Sequence, residues 1–415
     1  MLIAGEASGD LLAAELVQSL RQELSDAEAQ PTQDYQPLCT SLAPCFFGAG
    51  GPRMEAAGVE LAFDMTAHSV IGLSDVLKNY FKFRRLFVQL FRLALDREPD
   101  AIICVDFSGF NRRFGHAIKN YVRARQDWFH DWNPKLIQYV SPQVWASREG
   151  RAYQMAKDFD LLLSIFPFEK DWYARRVPQL PVEFVGNPII DRYSSAHRKV
   201  PKEEVESKRF GDSQSAASSK VVLLPGSRPS ELTRHVPVIL GAWEKIVAAR
   251  SDLSALMILP NETLAEQARS FALPAKVTVQ TGGLADSLKQ AALAIASTGT
   301  VTMECAYFGV PTVALYKTSW ATYEVGKRIV TVSYLAMPNL LAGEPIFPEF
   351  IQNAATANNI AGASLALLED QKRRTHVRSR LAQIVESLGS PGGSRRAAQD
   401  ILRLLSTESS LSNAL

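Results

Sequence analysis

The chain repeats one pattern along its length: a short apolar run that stops at a turn or polar residue, then a longer stretch with helical spacing. In the first half the runs are MLIA (1–4), AIICVDF (101–107), KLIQYV (135–140), LLLSIFP (161–167) and VEFVG (182–186). In the second half they are KVVLLPGSR (220–228), ALMILP (255–260), KVTVQ (276–280), LAIAS (293–297) and PTVALY (311–316). Runs this short and this apolar read as strands buried on both faces. Between them, LLAAELVQSLRQ places Leu12, Leu16 and Leu20 on one helical face. Strands alternating with helices predict parallel sheets covered by helices. The pattern fails over 193–219, which is polar, charged and serine-rich and is expected to be a linker or surface insertion. The prediction is an α/β chain of two Rossmann-like domains, 1–192 and 220–368, facing a central cleft. Residues 369–415 are helical and basic, and are expected to pack back across domains or subunits.

Composition agrees. At 415 residues each of two domains can bury its own core, and 47% hydrophobic with 21% charged residues is ordinary for a globular protein. A net charge of +2 argues against a nucleic-acid partner. Cys39, Cys45, Cys104 and Cys305 are scattered with no CxxC pair, which disfavours a disulfide framework or a zinc ribbon. No basic and apolar leader is visible, and no run approaches the ~20 apolar residues of a membrane span. The expectation is a cytosolic protein, or one attached to a membrane surface.

Five segments could carry chemistry. LLPGSRPSEL puts Gly226, Ser227 and Arg228 between a strand and a helix, as an anion cradle or as a tight turn with a surface arginine. IASTGTVTMECAYFGVP puts Ser297, Thr298, Gly299 and Thr300 at a second strand-to-helix turn, with Glu304 a turn further on. That is either a plain helix cap or a phosphate cradle with a carboxylate for ribose hydroxyls. Two such loops in one half favour a nucleoside-diphosphate site. VDFSGFNRR ends a strand at Asp106, a general base or a helix-capping turn residue. The stretch 69–95 mixes Tyr80, Phe81, Phe83 and Phe87 with Arg84 and Arg85, as an interfacial helix or as one packed on the sheet. The opening AGEASGD carries Glu6 and Asp10 where a phosphate cradle would carry none. No GxxxxGK[ST], DxD or GxGxxG motif accompanies these loops, so P-loop hydrolysis, a metal-held diphosphate and dinucleotide chemistry are not expected.

Together AGEASGD, GAGGPRMEAAGVE, VDFSGFN, YVSPQVWASREGR, IFPFEKDWY, FVGNPIID, LLPGSRPSE, ASTGTVTMECAYFGVPTVALYK and MPNLLAGEPIFPEFIQ resemble, in order, the lipid-A-disaccharide synthase family. These are inverting glycosyltransferases of the two-Rossmann-domain (GT-B) type. The resemblance implies condensation of UDP-2,3-diacylglucosamine with 2,3-diacylglucosamine 1-phosphate, giving a β-1,6-linked disaccharide 1-phosphate and UDP. It implies work at the cytoplasmic face of the inner membrane, on an anionic surface, with no cofactor or metal, and a homodimer through the C-terminal helices. Asp106, or else Glu6 or Asp10, is the expected base. Arg228 and the 297–300 loop are expected to meet the leaving diphosphate, with Glu304 and Asn339 completing the donor site. Ser8, Gly9, Asn111, Ser141, Gln143, Trp145 and Asn187 are expected around the acceptor, whose phosphate points toward the basic residues near 78–92.

The chain departs from the family pattern at Gly109, where some relatives have an acid, at Ser147, usually tryptophan, and at Asn187, often histidine. The rival readings are a UDP-sugar epimerase, the peptidoglycan N-acetylglucosaminyltransferase, and a non-catalytic UDP-sugar sensor.

Overall fold

A parallel sheet whose strands each lead into a helix gathers all the helix N-termini along one edge, and this edge organises both halves of the molecule. The computed structural model describes residues 1–29, 44–66, 73–127, 129–194 and 219–412, with the backbone alone for 28–29, 73–82 and 407–412. The chain divides into two units, Met1–Asp191 with Leu388–Leu415, and Arg192–Ser387. The expected insertion at 193–219 lies almost wholly outside the described residues.

Unit 1 is built on β1 (Leu2–Ala4), β2 (Phe47–Gly50), β3 (Glu60–Asp64), β4 (Ala101–Val105), β5 (Lys135–Tyr139), β6 (Leu161–Ser164) and β7 (Val182–Phe184), in the order β3-β2-β1-β4-β5-β6-β7. Every pairing is parallel. The five runs read from the sequence all form strands; β2 and β3 are additional. β2 is FGAG, too small and too glycine-rich to register as an apolar run. Its Gly48 stands opposite Leu2, and a side chain there would meet the Leu2 carbonyl oxygen at 1.9 Å. The close approach of β1 and β2 therefore requires glycine.

Helices cover both faces. On one, α1 (Ala7–Ala29) and α2 (Pro52–Ala56) bury Leu12, Leu16, Leu20 and Met54 against Leu2, Ala4 and Val105. On the other, α3 (Leu73–Arg97), α4 (Ser108–Arg125) and α5 (Arg151–Asp158) bury Leu90, Phe114, Ile118 and Met155 against Ile3, Cys104 and Leu136. Successive residues of β1 thus serve opposite cores, as a strand's alternation demands. α6 (Pro167–Ala174) and α7 (Pro188–Ser194) follow β6 and β7.

Unit 2 has β8 (Lys220–Leu224), β9 (Ser254–Leu259), β10 (Val277–Thr281), β11 (Ala291–Ser297), β12 (Thr312–Tyr316) and β13 (Glu349–Ile351), in the order β10-β9-β8-β11-β12-β13, again parallel. Its helices are α8 (Pro229–Ala249), α9 (Glu262–Arg269), α10 (Leu284–Lys289), α11 (Thr300–Tyr307), α12 (Trp320–Ile329), α13 (Met337–Ala342), α14 (Ala357–Glu369) and α15 (Gln371–Ser387). α8 buries Leu232, Val236, Ile239, Trp243 and Ile246, and α14 lies against it.

The two C-terminal helices part company. α15 packs on α11, α13 and α14 in unit 2, whereas α16 (Gly393–Ser412) lies on α1 of unit 1. Ala397, Ala398 and Ile401 of α16 join the core of Leu16, Val17 and Leu20. Asp191 accepts from the Gly392 and Gly393 amides, capping α16 where it begins.

Candidate active site and family membership

In unit 1 the AGEASGD turn and the VDFSGFN turn lie side by side at the carboxyl ends of β1 and β4. Gly5 makes this possible, and Gly9 lies beside it at ordinary contact distance. A side chain at Gly5 would run into the Phe107 ring, and one at Gly9 would stand 3.5 Å from the Val105 carbonyl and 3.7 Å from the Asp106 Cβ. Asp106 and Phe107 both take left-handed backbone conformations, φ 49° and 43°. Two successive non-glycine residues there cost on the order of 1–3 kcal/mol each and persist only where their surroundings impose them. The surroundings do so. The Asp106 amide donates to Tyr139 O at 2.8 Å, and its carbonyl accepts from Asn111 Nδ2 at 2.9 Å and Gln138 Nε2 at 3.3 Å. Phe107 stacks on Phe110 at 5.7 Å. Burial raises the Asp106 carboxyl above the ordinary carboxylate range, partly offset by the Phe107 amide.

The other two acids of this edge differ. Asp10 is 2% exposed, and its carboxylate accepts from the amides of Gly51 at 2.8 Å, Arg53 at 3.1 Å and Met54 at 3.1 Å. Asp10, the expected alternative base, thus anchors the N-terminus of α2. Glu6 is half-buried, its carbonyl accepting from the Asp10 amide at 2.9 Å. Ser8 is exposed at the start of α1.

Of the expected acceptor residues, several are internal struts. Asn111 is fully buried and its amide ties Ile3, Val105 and Asp106 together. Asn187 is buried, donating to Ile165 O and accepting from the Ile189 amide, which places it inside unit 1 as the start of α7. Trp145 is buried and donates to Glu169 Oε1 at 2.9 Å. Ser164 Oγ donates to Glu169 Oε2 at 2.7 Å, and Ser141 Oγ bonds the Tyr173 hydroxyl at 3.2 Å. Burial pushes the Glu169 carboxyl up to about 7 against these hydrogen bonds. Gln143 is exposed. The sequence reading passed over Gln138 and Glu169. A lone glutamine in an apolar strand is the available sign of the first; the second lies inside IFPFEKDWY with no signal of its own.

In unit 2 the PGSR turn already holds an acid of its own chain. Gly226 has φ 132°, and a side chain there would meet Glu231 Oε2 at 2.3 Å. Glu231 Oε2 accepts from the Ser227 amide at 2.9 Å, and Oε1 lies 3.5 Å from Arg228, whose side chain is 60% exposed. Behind the turn, buried His235 receives the Lys317 amide on Nε2 at 2.9 Å, so its Nδ1 carries the proton donated to Pro225 O at 2.6 Å. Burial lowers its pKa and keeps it neutral. Neither Glu231 nor His235 was singled out from sequence, although both sit in the helix after PGSR.

The second turn opens α11 with Gly299 at φ 146° and Thr300 exposed, while Ser297 is buried and the Thr298 amide donates to Leu315 O at 3.0 Å. Glu304 is ion-paired with Arg192 at 2.9 Å, and burial raises its carboxyl against that pull. Arg192 follows FVGNPIID in the sequence and had no expected role. Asn339 is fully buried: its amide donates to Phe347 O at 2.8 Å and Glu349 Oε1 at 2.7 Å and accepts from the Phe347 amide at 2.8 Å. Asn339, expected at the donor site, thus pins the loop between α13 and β13.

The aromatic-basic stretch falls on α3. The Tyr80 and Phe81 side chains lie outside the described ones. Phe83 is half-buried and Arg84 and Arg85 are exposed. Phe87 does not face outward as expected. It packs inward on Phe110 at 5.5 Å and Phe114 at 5.6 Å, because α3 needs an apolar stripe against α4. Among the described residues no helix is long and apolar enough to cross a membrane.

The chain is similar to known proteins over nearly its whole length. A family model described as Lipid-A-disaccharide synthetase matches residues 1–401. The lipid-A-disaccharide synthase of Trichlorobacter lovleyi is 34% identical, over 98% of this chain and 97% of its own length. That of Geobacter metallireducens is 36% identical, over the same shares. Among solved structures, the UDP-GlcNAc 2-epimerase of Neisseria meningitidis bound to UDP-GlcNAc superposes with a TM-score of 0.56 at 12% identity, over 94% of this chain and 96% of that one. At that identity the likeness speaks for the fold alone. With motifs, fold and relatives in agreement over nearly its whole length, the chain belongs to the lipid-A-disaccharide synthase family, a family of glycosyltransferases.

Proposed function

We propose that the protein transfers 2,3-diacylglucosamine from its UDP conjugate to the 6-hydroxyl of 2,3-diacylglucosamine 1-phosphate, forming a β-1,6 linkage and releasing UDP. Asp106 takes the proton from the attacking hydroxyl, the oxygen displaces the diphosphate from the anomeric carbon with inversion, and the negative charge leaves with UDP. The observation that carries this reading is Asp106 itself: a burial-raised carboxyl held on a strained turn at the carboxyl edge of a parallel sheet. In unit 2, the PGSR and STGT turns and Arg228 meet the diphosphate through amides, hydroxyls and a guanidinium. Glu231 holds the PGSR turn open until the donor's phosphates compete for Ser227 and Arg228. Glu304, steadied by Arg192, accepts from the ribose hydroxyls.

Diphosphate charge is met by these groups without a metal, so turnover should survive EDTA; loss of turnover restored by added magnesium would refute that part. The exposed Arg84 and Arg85 hold the protein on the anionic cytoplasmic face of the inner membrane, where both acylated sugars reside.

The deciding experiment is Asp106→Asn. Turnover, read as UDP release with both acylated sugars present, should fall about a hundred- to ten-thousandfold, while calorimetric UDP binding is retained. Near-normal turnover would remove Asp106 from the reaction. UDP release without the acceptor would remove the transferase reading itself.

A further inference from the structure

Unit 1 carries a group of arginines that no step above uses. Arg112 and Arg113 lie in the second turn of α4, the helix into which Asp106 leads; Arg151 opens α5, and Arg148 stands in the loop just before it. α4 and α5 pack side by side, so the four residues come from the same end of neighbouring helices. Their charges act on one another. Arg112 is held below the ordinary arginine range first by desolvation and then by Arg113 and Arg148; Arg151 by desolvation and then by Arg112, Arg148 and Arg113.

The nearby acids do not neutralise this charge. Asp158, the acid whose field favours Arg112, is fully buried and accepts from His116 at 3.0 Å and Gln154 at 2.9 Å. Glu149, between Arg148 and Arg151, turns away to Arg176 at 3.1 Å. Arg148 also takes a left-handed backbone, φ 82°, in a loop where glycine would be unstrained. Mutual repulsion and backbone strain are both costs, and neither is offset by a contact among the described residues. Their position is informative too. All four lie on the carboxyl edge of the sheet, where helix N-termini already favour anions.

We propose that Arg112, Arg113, Arg148 and Arg151 form the binding site for a phosphate monoester, that of the acceptor sugar. A monoester near neutral pH carries close to two negative charges and three acceptor oxygens, which suits several guanidinium forks. The diester headgroup of a phospholipid carries one charge, and the exposed Arg84 and Arg85 on α3 already serve a membrane surface. This rests on the proposed function, and it moves the acceptor's phosphate from the 78–92 region to the start of α4 and α5.

The test compares wild type with an Arg148→Ala, Arg151→Ala double variant, both sites lying at the surface of a loop and helix start. Kinetics are measured with 2,3-diacylglucosamine 1-phosphate and with the same sugar lacking phosphate. The KM for the phosphorylated acceptor should rise about ten- to a hundredfold, the KM for the UDP-sugar should hold, and the preference for the phosphorylated acceptor should shrink by the same factor. Arg148→Lys should recover only part of it, since an ammonium lacks the fork. An unchanged preference would overturn the proposal. So would loss of binding to phosphatidylglycerol vesicles with the preference intact, which would assign the cluster to a lipid headgroup. If wild type used neither acceptor, the functional reading would fail instead. The cluster is then judged by calorimetry with glucosamine 1-phosphate: weaker binding by the variant supports the site, and equal binding overturns it.

Discussion

Asp106 shows how much of a residue's chemistry its neighbours decide. Its strained backbone and buried carboxyl both place it in a high-energy state, which gives two separable expectations. A raised pKa means the base becomes competent at higher pH than an ordinary aspartate, so kcat/KM should lose activity as pH falls through a value above the usual carboxylate range. A pH profile flat down to pH 4 would contradict this. The sign for stability is opposite. Above the unfolded-state pKa the unfolded chain releases its proton before the folded one, so the folded form loses stability as pH rises through the Asp106 pKa. Asp106→Asn should therefore melt higher than wild type at neutral pH while losing turnover, as calorimetry and activity would show together. Asp10 and Asn339 sit in motifs just as suggestive, yet Asp10 accepts from three backbone amides and Asn339 bonds the Phe347 backbone and the Glu349 carboxylate. Nothing local distinguishes them from Asp106. The amides that occupy Asp10 belong to Gly51, Arg53 and Met54, distant in sequence and adjacent only after folding.

At the scale of elements, α4 begins without local help. It has no side-chain cap and no acid in its first turn, and Gly109 there has open space around its Cα. Gly109→Asp should stabilise unit 1 by about 1 kcal/mol, from lost glycine freedom and a favourable charge at the helix N-terminus. A lower urea midpoint in that variant would show instead that the turn needs glycine or that the new charge disturbs Asp106. Most strands were legible because parallel strands between helix layers are apolar on both faces, and the edge strand β10 by its alternation of valine with polar residues. β2 and β13 were not: FGAG and EFI lack the bulk or the length to stand out. α3 was legible as amphipathic but not as to which face lies inward. Phe87 is as aromatic as Phe83, and only the rings of Phe110 and Phe114 across the interface decide it.

For the whole molecule, the return of α16 to unit 1 ties the end of the chain to its beginning. The chain completes unit 2 and then gives its last helix to the first core. Ile401 is 1% exposed there, so Ile401→Ala should cost about 2–5 kcal/mol and lower the urea midpoint of unit 1. An unchanged midpoint would mean that α16 adds nothing to that core. The fold class, most strands of both sheets and the family resemblance were legible in the chain alone, because hydrophobic periodicity and ordered motifs are properties of the chain read in one direction. The sequence also marked the loops where chemistry could occur. Which polar side chains in those loops remain available was decided only by tertiary structure. A carboxylate, amide or guanidinium is recruited or left open by atoms that folding brings from elsewhere: Gln138 and Tyr139 to Asp106, Arg192 to Glu304, Gly51 to Asp10. Arg112, Arg113, Arg148 and Arg151 are two unremarked pairs in the sequence, and they become one concentration of charge only when α4 and α5 lie side by side.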